Sequence, residues 1–461
     1  MGERPVIERG LIDYYRCAEG DVKMALSGPL SADAGYFAFG DRVGYGRLAS
    51  GYRAPAPADL YDVLPAVKLH EGVVYTPFDP SEVVENLRRE RYAVEPHGTL
   101  PRRQTVWRRP YYSLRRFVSP PLRRALQRAY LRDWKRVPFP RWPVDDTVDA
   151  LMERLLVLAM RSQGLTRVPF VWFWPDGAPS CAIVTHDVET EDGRERCAWL
   201  MDVDERAGIR SSFQIVPENR YAVSAAFLDG IRDRGFEVNI HDLNHDGRLF
   251  SSREEFQRRA KKINAYARAF GARGFRSGSL YRNADWYDGL DVAYDMSIPN
   301  VGHLEIQRGG CCTVLPYFIG DIVELPLTTT QDYILFQILN DFSNSVWKAQ
   351  LAAVMKRHGL VSFIVHPDYA INERARQAYV ALLDELARLR DAGKCWVPLP
   401  GEAERWWRTR SRLTLAPDGD GWRIEGEGSE RARLAYAELD EDQLVYRLES
   451  TSSIRAGSAI P

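Results

Sequence analysis

The chain lacks the marks of several large protein classes. Its six cysteines (Cys17, Cys181, Cys197, Cys311, Cys312, Cys395) are scattered and form no C-x-x-C pair. Free thiols in a reducing compartment are the simpler reading than a disulfide framework. No window approaches the roughly 18 uninterrupted apolar residues that a membrane-spanning helix needs. The first twenty residues, MGERPVIERGLIDYYRCAEG, hold no apolar core and no small-residue cleavage site, so no secretory leader is read there. A cytoplasmic place is expected, with peripheral attachment at the inner membrane face as a variant. A charge surplus is also missing: Lys+Arg 62 against Asp+Glu 63 gives a net charge of −1 and no global pull toward nucleic acid. An apolar share of 45% with 27% charged residues is that of a globular protein able to bury a core.

Composition divides the chain. Residues 1–145 mix short apolar runs with turn residues and show no strict period. Within them, 102–136 carries twelve Lys or Arg against the single acid Asp133, interleaved with Trp107, Tyr111, Tyr112, Phe117, Tyr130 and Trp134. A solvated helix face over 122–134 accounts for such a run most simply. The sharper alternative is a patch for anionic lipid head groups, a phosphorylated glycan carrier or nucleic acid.

From 146 to 404 strand-like and helical runs alternate. Apolar residues at helical spacing predict a helix over Thr147–Gln163, stopped by Gly164. Strands are predicted at 181–185, 211–216, 236–240, Gly274–Arg276, 322–325, 361–365 and 395–398. Helices are predicted between them at 194–207, 222–234, Arg253–Phe270, 346–358 and 373–392. Alternation of this length implies right-handed crossovers and a parallel sheet, and about seven repeats favour a barrel over an open doubly wound sheet. Residues 405–450 read as a small β module with Asp/Gly turns, and 451–461 as a disordered tail.

Parallel-sheet enzymes place their chemistry at the carboxyl ends of strands. Those ends here read Thr185-His186-Asp187-Val188-Glu189, then His241-Asp242-Leu243-Asn244-His245, then Arg276-Ser277-Gly278-Ser279, and His366-Pro367-Asp368. Four of the eight histidines therefore fall at three strand ends. Each taken alone has a plain structural reading: loop polar groups for His241 and His245, a satisfied core histidine for His366, a salt bridge for Arg276. Together, a spaced histidine pair and a carboxylate supply three ligands of an open metal site. A second carboxylate two residues away lies on the same side of an extended strand, beside that site.

This ordered set resembles the polysaccharide deacetylases, the NodB-homology metal-dependent carbohydrate esterases, over about residues 178–400. The resemblance implies a distorted (β/α)7 barrel with an N-terminal mixed extension and a small C-terminal β region. It implies Asp187 as catalytic base and Glu189, His241 and His245 as ligands of a divalent metal, zinc first and cobalt or nickel as alternatives. Arg276 would hold the base and His366 would act as general acid. The reaction implied is removal of an N-acetyl group, before O-acetyl, from an amino sugar, a glycan or a carrier-linked glycan. The chain departs from the family pattern at Glu189, where Asp is commoner, and at Asp242, where a hydroxyl is frequent. The usual Arg-x-Pro-Tyr is replaced by Arg276-Ser277-Gly278-Ser279, which leaves Ser279 or a neighbour to complete an oxyanion hole. Asp332 is a candidate supporting residue, and the family's tryptophan motif has no counterpart. The alternatives are a metal hydrolase of a non-sugar C–N bond and an inactive glycan-binding module of an assembly complex. No nucleic-acid partner is expected.

Overall fold

The computed structural model describes residues 9–93, 120–369, 372–441 and 443–449. The N-terminal region starts with helix α1 (Arg9–Tyr15). Strands β1 (Met24–Leu26), β2 (Gly35–Phe39), β3 (Arg42–Gly46), β4 (Lys68–His70) and β5 (Val73–Thr76) follow, then α2 (Pro80–Arg88). Beyond them lie α3 (Pro120–Leu131), α4 (Thr147–Gln163) and β6 (Arg167–Val171). The 102–119 part of the basic aromatic stretch and the tail 451–461 lie outside the described residues.

Seven parallel strands then build the body of the protein: β7 (Cys181–Val188), β8 (Ser212–Ile215), β9 (Glu237–His241), β10 (Gly274–Arg276), β11 (Tyr294–Asp295), β13 (Ile322–Glu324) and β14 (Leu360–Ile364). Short β12 (Tyr317–Ile319) lies antiparallel on β13. The sheet runs β12-β13-β11-β10-β9-β8-β7-β14. Threonine hydroxyls span the gap between its ends. Thr328 Oγ1 donates to Leu360 O at 2.8 Å and accepts from Ser362 N at 3.0 Å, and Thr329 Oγ1 donates to Ser362 O at 2.7 Å. The result is a distorted (β/α)7 barrel, closed at one seam by side chains instead of a backbone ladder.

Helices α5 (Glu191–Arg206), α6 (Ala225–Arg232), α7 (Arg253–Phe270), α8 (Ser345–Lys356) and α9 (Glu373–Asp391) cross over between or after the strands. Most begin at a side-chain cap: the hydroxyls of Thr190, Ser224 and Ser252 and the Asn372 amide oxygen each accept a first-turn N–H. Every residue of β7 and β14 is buried, as expected of strands covered on both faces. The predicted strand at 395–398 makes only a single bridge, Trp396 to Cys181. The seventh strand is instead Tyr294–Asp295, two residues that carry no readable period.

Helix α10 (Pro400–Arg410) leads to the hairpin β15 (Thr414–Asp418) and β16 (Gly421–Glu425) and to β17 (Leu434–Asp440) and β18 (Gln443–Leu448). Strand β17 pairs antiparallel with β6, and one hydrophobic core runs from Leu11 through α4 and Ile183 to Ala437. Arg410 fastens this core: fully buried, it donates to the carbonyls of Tyr14, Tyr15, Val171 and Trp172. All six cysteines are buried and unpaired. Among the described residues no helix is long and apolar enough to cross a membrane.

Candidate metal centre

Strand β7 carries two sets of side chains. Its period of two sends Thr185 and Asp187 to the barrel interior and His186 outward, where it bonds Asp204 of α5 at 2.9 Å and Val365 O at 2.8 Å. His186 is thus a satisfied core histidine. The other three strand-end histidines converge. Glu189 Oε1 lies 2.8 Å from His245 Nε2, 3.5 Å from His241 Nε2 and 3.6 Å from His366 Nε2.

Glu189, His241 and His245 each offer a ligand atom within 4.8 Å of the others. Their donor chemistry fits a divalent cation. His241 Nδ1 lies 3.2 Å from Arg276 O, and because a carbonyl only accepts, this nitrogen carries the proton and Nε2 presents a lone pair. His241 Nε2 and both ring nitrogens of His245 are buried with no hydrogen-bond partner. A buried polar atom left this way costs on the order of 1–3 kcal/mol, which a cation among the three side chains would relieve. Glu189 Oε1 and His245 Nε2 approach each other without forming a hydrogen bond.

Both flanks of the cluster are ordered. On one, Asp187 Oδ1 accepts from Arg276 Nη1 at 2.6 Å, while the same guanidinium donates to Thr185 Oγ1 at 2.8 Å and, through Nε, to Met296 O at 3.0 Å. Burial alone would raise the Asp187 carboxyl; the positive charge beside it, Arg276 foremost, outweighs this and holds the group below its ordinary range. On the other flank, His366 Nδ1 donates to Asp332 Oδ1 at 2.6 Å, and Asp332 Oδ2 accepts from His366 N at 2.8 Å. Burial pushes the His366 imidazole down, but Asp332 reverses this and raises it well above the ordinary histidine value. His366 Nε2 faces Asp187 Oδ2 at 4.0 Å.

All six site residues named from the sequence are therefore brought together, and Asp332 joins them. The loop after Arg276 backs the cluster. A Cβ on Gly278 would sit 2.5 Å from Asp242 Oδ2 and 2.9 Å from His245 Cδ2, so only glycine fits. Sequence reasoning missed Glu305, which is buried, accepts from Gln331 Nε2 at 2.8 Å and feels the His366 charge. It sits in a stretch without periodicity, and no spacing signals it.

No family model and no curated protein matches the chain. Solved structures to which it is similar include a Mycobacterium smegmatis protein carried under a polysaccharide deacetylase name, at 16% identity and TM-score 0.42, over 54% of this chain and 98% of that one. A family 4 acetyl xylan esterase from Clostridium thermocellum, solved with a cobalt ion, gives 13% identity and TM-score 0.32 over 49% and 90%. An allantoinase gives 11% and 0.38 over 51% and 92%. None of these likenesses is close enough to carry a reaction or a substrate over to this chain.

Proposed function

We propose that the protein is a metal-dependent hydrolase that removes an N-acetyl group, before an O-acetyl group, from an amino sugar or glycan. One observation carries this reading: a three-ligand cluster stands between a carboxylate paired to arginine and a histidine paired to aspartate. Glu189, His241 and His245 would hold the cation. A divalent ion there, zinc first, supplies a water of lowered pKa and polarises the acyl carbonyl.

The chain's own groups do the proton work. Asp187, kept ionised by Arg276, takes the proton of the attacking water. His366, kept protonated by Asp332, gives its proton to the departing nitrogen as the C–N bond breaks. Acetic acid and the free amine leave, the acid giving up its proton to solvent as acetate, and the proton taken by Asp187 balances the one given by His366.

The finer reading is a lipid-linked or otherwise anionic carrier substrate. Helix α3 supports it: Leu122, Leu126 and Tyr130 repeat every fourth residue and are exposed, beside exposed Arg128, Arg132, Lys135 and Arg136. The helix borders the site through Gln127, which bonds Tyr333, whose ring meets Tyr369 at 5.2 Å; that ring meets His366 at 5.0 Å.

Metal content and acetate release from N-acetylated sugars, measured on wild type and His241→Ala, test the main reading. One equivalent of metal with acetate released, both lost in the variant, supports it. Metal without acetate points to a non-sugar C–N bond, and no metal points to a binding module.

A further inference from the structure

The long N-terminal region reaches the barrel loops through five consecutive residues, the last of helix α2 and the four after it. Glu90 leads them. Its φ of +57° lies in the left-handed region, which turns it inward while Arg89 and Arg91 stay at the surface. There its carboxylate takes the Arg282 guanidinium in a two-point pair, Nε to Oε2 at 2.6 Å and Nη2 to Oε1 at 2.5 Å, with both side chains buried. Either partner alone would be a stranded charge in the interior. Outside this pair, Arg89 and Arg91 both grip Asp285, at 3.1 and 2.9 Å. Arg88 O accepts from Tyr317 Oη at 3.0 Å, and Tyr92 Oη donates to Gly310 O at 2.6 Å.

What is gripped matters. Arg282 ends the loop that begins at Arg276 and includes Gly278, which lies against His245. Its Nη1 donates to Leu280 O at 2.8 Å, across a turn in which Ser279 and Leu280 both adopt positive φ, 57° and 51°. A non-glycine backbone holds such angles only where its surroundings fix them. The main chain of Arg282 is also clipped by the Gln307 amide, N to Oε1 at 3.1 Å and Nε2 to O at 3.0 Å. Two residues before Gln307, Glu305 accepts from Gln331, the neighbour of Asp332. Arg282 thus joins the loop behind His245 to the 302–310 loop, whose Glu305 holds the neighbour of the aspartate paired to His366.

We propose that Glu90 is a positioning residue: through Arg282 it holds the two loops that wall the site, 277–283 and 302–310, so the N-terminal region completes the active centre. This rests on the hydrolase reading only for its effect on turnover.

Hydrogen exchange on the full chain tests it without any substrate, comparing wild type, Glu90→Ala and the surface variant Asp285→Ala. Glu90→Ala should speed exchange about tenfold or more in 277–283 and 302–310, while 181–188 and 237–241 keep wild-type protection. Asp285→Ala, at an exposed position, should give a smaller rise confined to the same loops. Unchanged loops in either variant that folds, or a uniform rise through the barrel, would overturn the proposal. At saturating metal, kcat for acetate release by Glu90→Ala should fall about tenfold or more well below its melting temperature, where a mere fold staple would leave it unchanged. Wild-type protein that releases no acetate would fail the hydrolase reading and leave the exchange result standing.

Discussion

Arg276 donates to Asp187 at 2.6 Å inside a barrel where both side chains are cut off from solvent, so each serves as the other's counter-charge. The pair separates two neighbouring carboxylates by role. Asp187 is committed to arginine, and Glu189 is left to the histidines. Asp187→Asn should therefore lower acetate release by about a thousandfold or more and leave metal content near one equivalent. Glu189→Gln should lose the metal itself. Metal analysis beside the activity assay separates the two, and loss of metal in Asp187→Asn would reverse the assignment.

Asp332 fixes His366 twice, through the ring Nδ1 and through the backbone N–H. Removing that carboxylate frees the imidazole to rotate and lowers its hold on a proton. Asp332→Ala should cost roughly a hundredfold in kcat with KM little changed, since the carboxylate acts through His366. Steady-state kinetics on a single acetylated substrate reads the split.

The first motif, the histidine pair, Arg276 and His366 were legible because each ends an apolar strand and period two assigns its face. Asp332 was legible only as a nearby acid. Its contact with His366 depends on the chain crossing from β13 to β14, where Thr328 and Thr329 close the seam, and such closure leaves no trace in local pattern. Tyr294–Asp295 was missed for a related reason: a two-residue strand pairs because its neighbours are in place, not because its residues favour it. Residues 395–398 have the apolar content of a strand, but it serves as packing beside the start of β7. Glu90 and Arg282, 192 positions apart in sequence, carried no mutual signal at all.

Gly278→Ala is a test of the site's close fit. The added methyl would meet Asp242 Oδ2 at 2.5 Å and the His245 ring at 2.9 Å, and the ring belongs to a proposed ligand. Metal affinity should drop by about tenfold or more as His245 is displaced, while the barrel's melting temperature changes little. A cobalt titration of the variant provides the number, and unchanged affinity would mean that the ring yields freely.

The exposed stripe on α3 predicts sedimentation with vesicles containing phosphatidylglycerol and not with neutral ones, weakening as salt rises. Leu126→Glu should abolish most of that binding without lowering turnover of a soluble acetylated sugar. Equal binding by the variant would return α3 to an ordinary solvated face.

Asp149 gives the fold a pH signature independent of the site. Its carboxyl is buried between Tyr14 Oη at 3.1 Å, Thr313 Oγ1 at 2.8 Å and Val314 N at 3.0 Å. Burial pushes it up to about 6 against the opposing effect of the Val314 and Thr313 donors. Because the folded value lies above the unfolded one, the native state holds this proton more tightly than the unfolded chain does. The resulting stability is fully present below about pH 4 and is lost as pH rises through about 6, a span of about two units and at most ~3 kcal/mol. Asp149→Asn has no such proton to lose. Its melting temperature relative to wild type should therefore rise between pH 4 and pH 7 and level off above. A difference that stays flat across that range would show that the three donors hold Asp149 ionised throughout.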